Sequence, residues 1–112
     1  MKTIEEKTET VLHALGITRK YLGYDIMISA VSHIDESPGR IRCVSKELFP
    51  LIIEETGYTM NSIERNVRTC SQAAFKKERK TLETMAGCKL YRPPTTVAFL
   101  EIVHRTTGKV TA

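Results

Sequence analysis

The sequence points to an all-α fold of about six helices with a central helix-turn-helix, and three observations predict its all-helical character. Apolar residues recur at three- and four-residue steps, cap and stop residues bracket each such segment, and nowhere does a useful length show the strict alternation of a half-buried strand. No internal repeat or low-complexity tract interrupts the pattern.

The elements follow in order. Thr3 with Glu6 forms a capping-box pattern, and Ile4, Val11 and Leu15 share one face before Gly16, so a first helix is predicted over about 4 to 15. Tyr24, Met27, Ala30, Val31 and Ile34 define a second, ended by the turn at Ser37 to Gly39. Ser45 is the expected cap of a third, with Glu47 in its first turn and Leu48, Phe49, Leu51 and Ile52 as its apolar face before Gly57. Pro50 is early enough in it to be met by a first-turn shift or a mild kink. Thr59 or Asn61 caps a fourth helix, predicted to run to about Lys80. A short helix over 81 to 87 ends at Gly87, and CKLYRPP reads as an irregular connection because two consecutive prolines forbid regular pairing. Thr95 then caps a last helix carrying Val97, Phe99, Leu100, Ile102 and Val103 and closing near Gly108.

The length of 112 residues suits one compact domain over 1 to 112, and a hydrophobic content of 41% suffices for its core. Acidic residues in MKTIEEKTET stand where a secretory signal needs an apolar run, and no run of apolar residues is long enough to span a bilayer; a cytoplasmic location is expected. Cys43, Cys70 and Cys88 are odd in number and lack metal or redox spacing, so reduced thiols are expected. His13, His33 and His104 lie far apart, which points to surface or semi-buried histidines rather than metal ligands. No nucleophile elbow, P-loop or dinucleotide fingerprint is present; no enzyme activity, cofactor, metal or small-molecule substrate is expected.

The net charge of +4 is unevenly placed. Residues 1 to 36 carry four basic and six acidic side chains, residues 37 to 60 three of each, and residues 61 to 80 six basic against two acidic. A local anion-binding face needs such a concentration. On the fourth helix Ile63, Val67, Cys70 and Ala74 form a narrow apolar stripe, and Asn61, Glu64, Arg65, Arg68, Thr69, Gln72 and Lys76 fill the opposing arc. Two helices joined at Gly57, the second with a basic face, form the pattern in which a second helix enters the major groove of DNA. Each residue admits two readings. Arg65 and Arg68 span to a guanine or a phosphate, or make a solvated face with Glu64 paired to Arg68. Glu64 accepts from cytosine, or closes a capping box with Asn61. Lys76, Lys77, Arg79 and Lys80 are phosphate contacts or solubilising charge. Tyr21, Tyr24, Tyr58 and Tyr91 stack on bases or sit at core edges.

The stretches LGITRKYLGY, VSKELFPLIIEETG, SIERNVRTCSQAAF and PPTTVAF, in this order, resemble the C-terminal DNA-binding effector domain of the sporulation initiation response regulator (stage-zero sporulation protein A) family over about residues 11 to 105. The step from Lys46 to Pro50 and the I-E-R-x-V-R core carry the resemblance. It implies an all-helical, transcription-regulating domain whose recognition helix begins near Thr59, with Glu64, Arg65 and Arg68 matching a Glu and two Arg of the family. The chain departs from the family at Ser62, where an Arg is usual, at Thr69, where a His is usual, at Phe75 in place of Trp, and in a shorter GCKLYRPP connection. Both Ser62 and Thr69 shorten a reach to DNA. The receiver domain that normally precedes this domain is not expected in the chain, so control falls to abundance or a partner.

The resulting expectation is a sequence-specific double-stranded DNA-binding regulator using Ser62, Glu64, Arg65, Arg68, Thr69, Gln72, Lys76 and Lys77, with a second copy or a related response regulator as protein partner and no membrane association. The rival is a protein-interaction module of the same fold, which modulates a related sporulation regulator without strong base readout.

Overall fold

The computed structural model describes residues 2–110 and contains six α-helices: α1 (Ile4–Ala14), α2 (Gly23–Glu36), α3 (Phe49–Thr56), α4 (Met60–Lys77), α5 (Arg79–Ala86) and α6 (Thr96–Thr107). There is no strand among the described residues. The start signals act as the sequence predicts at three helices. The Thr3 hydroxyl accepts from the Glu6 amide while the Glu6 carboxylate accepts from the Thr3 amide. Thr59 accepts from the Ser62 amide and Thr95 from the Ala98 amide. Each bond satisfies a first-turn donor that the helix leaves open.

Helix α2 lies at the centre, packed against α1, α3, α4 and α6. Its Tyr24, Ile26, Met27, Ala30, Val31 and Ile34 are buried, which makes Tyr24 a core residue rather than a stacking platform. The core is continuous with Leu12 and Leu15 on one side, Ile52, Ile63 and Val67 on another, and Phe99, Leu100 and Val103 on a third. Polar bonds between distant segments fix the orientation. Glu55 of α3 accepts from the Ser29 hydroxyl at 2.9 Å and lies 2.6 Å from His33 Nε2, and His104 of α6 lies 3.2 Å from Asp35. His33 and His104 are thus half-buried tethers.

Two boundaries differ from the sequence expectation. Ser45 caps no helix. A 3₁₀ turn (Pro38–Arg42) is followed by a π turn (Val44–Leu48) that contains Ser45, and the regular α-helix begins only at Phe49. The cause is Pro50, which has no amide hydrogen and whose ring clashes with a carbonyl one α-turn back; the wider π turn, closed by Phe49 N–H on Val44 O, relieves both constraints. The fourth helix also stops short of Lys80. It breaks at Glu78, whose backbone is non-helical (φ −134°, ψ 48°), and α5 starts at once. An uninterrupted helix would carry Leu82 about 80° away from Ala74 around the axis, whereas the break brings Leu82 to full burial.

Cysteine reactivity tests this packing. Cys70 is buried between α4 and α2, and desolvation pushes its thiol up to about 12, while Cys88 is exposed and Cys43 is intermediate. Because the thiolate is the reacting species, a disulfide-exchange reagent is expected to label Cys88 fast, Cys43 more slowly and Cys70 only on unfolding. Three equally fast thiols in the native protein would contradict the α2–α4 contact.

Candidate nucleic-acid interface

Helix α4 has its apolar stripe anchored and its other side bare. Ile63, Val67, Cys70 and Ala74 are fully buried, and Asn61, Glu64, Arg65, Arg68, Thr69, Gln72 and Lys76 are exposed. The approach of α4 to α2 is close because Gly23 lies at the crossing: a Cβ there would meet Cys70 Sγ at 2.5 Å and the Asn66 carbonyl oxygen at 2.8 Å. Gly57, held in the left-handed region at φ 81°, turns the chain from α3, and only Tyr58 and Thr59 follow it before α4.

The side chains of the bare face differ in how free they are. Arg65 is exposed and has no ion-pair partner among the described residues. Arg68 donates to Glu64 at 3.1 Å, so the i, i+4 pair read from the sequence is present. Glu64 therefore closes no capping box; Thr59 is the cap, and Asn61 is left outward. Thr69 donates its hydroxyl to the Arg65 carbonyl at 3.0 Å, which leaves its methyl outward. Ser62 is half-buried at the flank, and its hydroxyl and carbonyl oxygens both accept from Asn66 Nδ2, at 3.2 and 2.7 Å.

Two of the six cations of the basic block are diverted elsewhere. Helical periodicity puts Lys76 about 20° from Arg65 but Lys77 about 120° away. Lys77 instead donates to the Tyr21 hydroxyl at 2.6 Å and lies over that ring, at the corner between α1 and α2. Arg79 covers the Phe75 ring, donates to the Leu90 carbonyl and pairs with Glu83, which in turn accepts from the Leu90 amide. Arg65, Lys76 and Lys80 remain exposed, with no ion pair among the described residues.

Residues that the sequence did not single out complete the face. Glu64, Arg68 and Gln72 line an open groove of roughly 470 Å³ whose opposite wall is Arg92, Pro93, Pro94 and the first turn of α6. Buried Ser71 donates to the Pro94 carbonyl at 2.7 Å and so ties this loop to α4. The exposed Arg92 is thereby set beside the arginine face. The available signal was Ser71 itself, a polar residue at the edge of the apolar stripe, which needs a buried partner.

No helix among the described residues is long and apolar enough to cross a membrane, and no group of three or more acidic, His or Cys residues there could hold a metal ion. Residues 8–107, most of the chain, match the family described as Sporulation initiation factor Spo0A C terminal.

Proposed function

Because the chain belongs to the Sporulation initiation factor Spo0A C-terminal family, a family of DNA-binding domains in the transcription regulation of sporulation, we propose that it acts as a single sequence-specific DNA-binding domain with α4 in the major groove. The observation that carries this reading is Arg65, exposed at the middle of the bare face of α4 with no ion-pair partner among the described residues, beside a groove walled by Arg68 and Arg92. Helices α3 and α4 act as the helix-turn-helix, with α3 bracing α4. Arg65 and Arg68 address base edges, Glu64 orients Arg68 or accepts from a cytosine amino group, and Gln72 and the Thr69 methyl offer shorter contacts. Lys76, Arg92 and the first turn of α6 take phosphates, with Lys77 at the rim of the footprint. A second copy or a related response regulator is the expected protein partner.

Selection of bound duplexes from a random pool tests the reading; a preferred site is the expected outcome. Affinity for that site should fall with salt at a slope of about −0.9 per phosphate neutralised. Lys76→Ala is expected to weaken all sequences alike and reduce the slope by about one. Lys77→Ala should change it less, because its ammonium is engaged by Tyr21. An equal or larger loss at Lys77 would place the footprint on the corner between α1 and α2.

The interaction-module reading is favoured by one observation: the Thr69 hydroxyl, which stands where the family reaches with His, gives its hydrogen to the Arg65 carbonyl within α4, and a short, half-buried Ser62 stands where the family reaches with Arg. Ser62→Arg separates the two readings. If α4 is docked on bases, the added guanidinium restores about 1–3 kcal/mol of discrimination at one base pair. A gain of affinity with no base preference, or no gain, makes the interaction module the better reading.

A further inference from the structure

Six threonine hydroxyls on the helices of this protein commit their hydrogen to the backbone. Thr8, Thr10, Thr56, Thr69, Thr84 and Thr106 each donate to the carbonyl four residues earlier, at 2.7 to 3.1 Å. Such a hydroxyl has lone pairs left to offer and no hydrogen. Ser62 differs for a geometric reason. It is the third residue of α4, and the carbonyl four residues before it belongs to Tyr58, which precedes the cap residue Thr59 and lies outside the helix. Among the described residues the Ser62 hydroxyl makes no donor bond; its one partner is Asn66, which donates to it.

The orientation of the Asn66 amide is dictated by the same contact. Its terminal atom lies 2.7 Å from the Ser62 carbonyl oxygen and 3.2 Å from the hydroxyl oxygen. A carbonyl oxygen only accepts, so the atom facing it is the NH₂ group, and the same nitrogen is the donor to the hydroxyl oxygen. With one lone pair occupied, the Ser62 hydroxyl has its proton left to give.

We infer that Asn66 is a positioning residue that sets Ser62 as a hydrogen-bond donor to DNA, selective for a base edge that presents an acceptor there. Purine N7, guanine O6 and thymine O4 accept such a bond, and the amino group of cytosine does not. The inference rests on the reading of α4 as the base-contacting helix and adds the polarity of one contact and a residue, Asn66, that touches no base.

The experiment compares base preferences of the full chain and its variants on duplex pools randomised one position at a time around the selected site. In the unsubstituted protein, one position should prefer an acceptor-bearing base over cytosine by about two- to tenfold, the value of one net hydrogen bond. Ser62→Ala and Asn66→Ala should each abolish that preference and leave the other positions unchanged, and the double variant should lose no more than either single one. Asn66→Asp cannot donate to Ser62, and its carboxylate is repelled by the Ser62 carbonyl that the amide faces, so the preference should be lost as in the Ala variant. The Asp and Ser62→Ala variants carry the test if Asn66→Ala fails to fold. If Ser62→Ala abolishes a preference that both Asn66 variants keep, Ser62 is the reader without Asn66 and the inference fails. A site whose preferences ignore all these variants also overturns the inference while the DNA-binding reading stands. If the unsubstituted chain selects no duplex at all, that reading falls and the inference with it.

Discussion

Arg65→Ala is expected to flatten base preference at one position of the selected duplex as well as lower affinity, with a loss of about 1–3 kcal/mol of discrimination, the value of a bidentate arginine on guanine. The expectation is sharper for Arg65 than for its neighbour. Removing Arg68 also exposes the Glu64 carboxylate it pairs with, so that variant confounds a lost contact with a new repulsion of phosphate. Arg65 has no ion-pair partner among the described residues, and its truncation should leave the rest of α4 unmoved. Binding isotherms on the selected site and on its single-base variants give the answer. An equal loss on every sequence would make Arg65 a phosphate contact and shift base reading to Arg68 and Gln72.

Gly23→Ala is expected to destabilise the fold by about 1–3 kcal/mol, the usual range for overpacking a close contact. Two effects oppose each other. At the first position of α2 an alanine gains up to about 1 kcal/mol of helix propensity over glycine. Against that, the new Cβ would approach Cys70 Sγ to 2.5 Å and the Asn66 carbonyl oxygen to 2.8 Å. A flexible side-chain end could swing away, but the Asn66 carbonyl is backbone within α4 and Cys70 is enclosed, so the two helices must separate. The clash therefore wins. Thermal melting should show a fall of roughly 4 °C or more per kcal/mol, and because α4 moves, DNA affinity should fall without any contact residue being changed. A melting point unchanged or raised would show that the crossing is looser than the structure has it.

The helices were legible in the sequence because their causes are local. A threonine three residues ahead of an open amide caps α1, α4 and α6 whatever surrounds it, and the apolar stripe of α4 is the same stripe on the wheel and in the core. Local rules failed where two of them compete. Ser45 is a good cap in isolation, but Pro50 forces the wider turn ahead of α3 and leaves Ser45 within it. The break at Glu78 was hidden because nothing in residues 76 to 80 disfavours helix; the burial of Leu82 separates α4 from α5.

By itself the sequence determined an all-α protein with an amphipathic, basic-faced α4 entered from a glycine turn, since periodicity and capping act over no more than four or five residues. The tertiary structure decided which positive charges are available. A charge count assigns six cations to residues 61 to 80, yet Lys77 is held by Tyr21 across 56 residues of chain and Arg79 by the loop at Leu90. The bond from Ser71 to Pro94, across 23 residues, sets Arg92 beside Arg68. The free energy of a cation depends on the carboxylates, rings and carbonyls within a few ångströms of it, and folding brings those partners from parts of the chain that no local pattern connects.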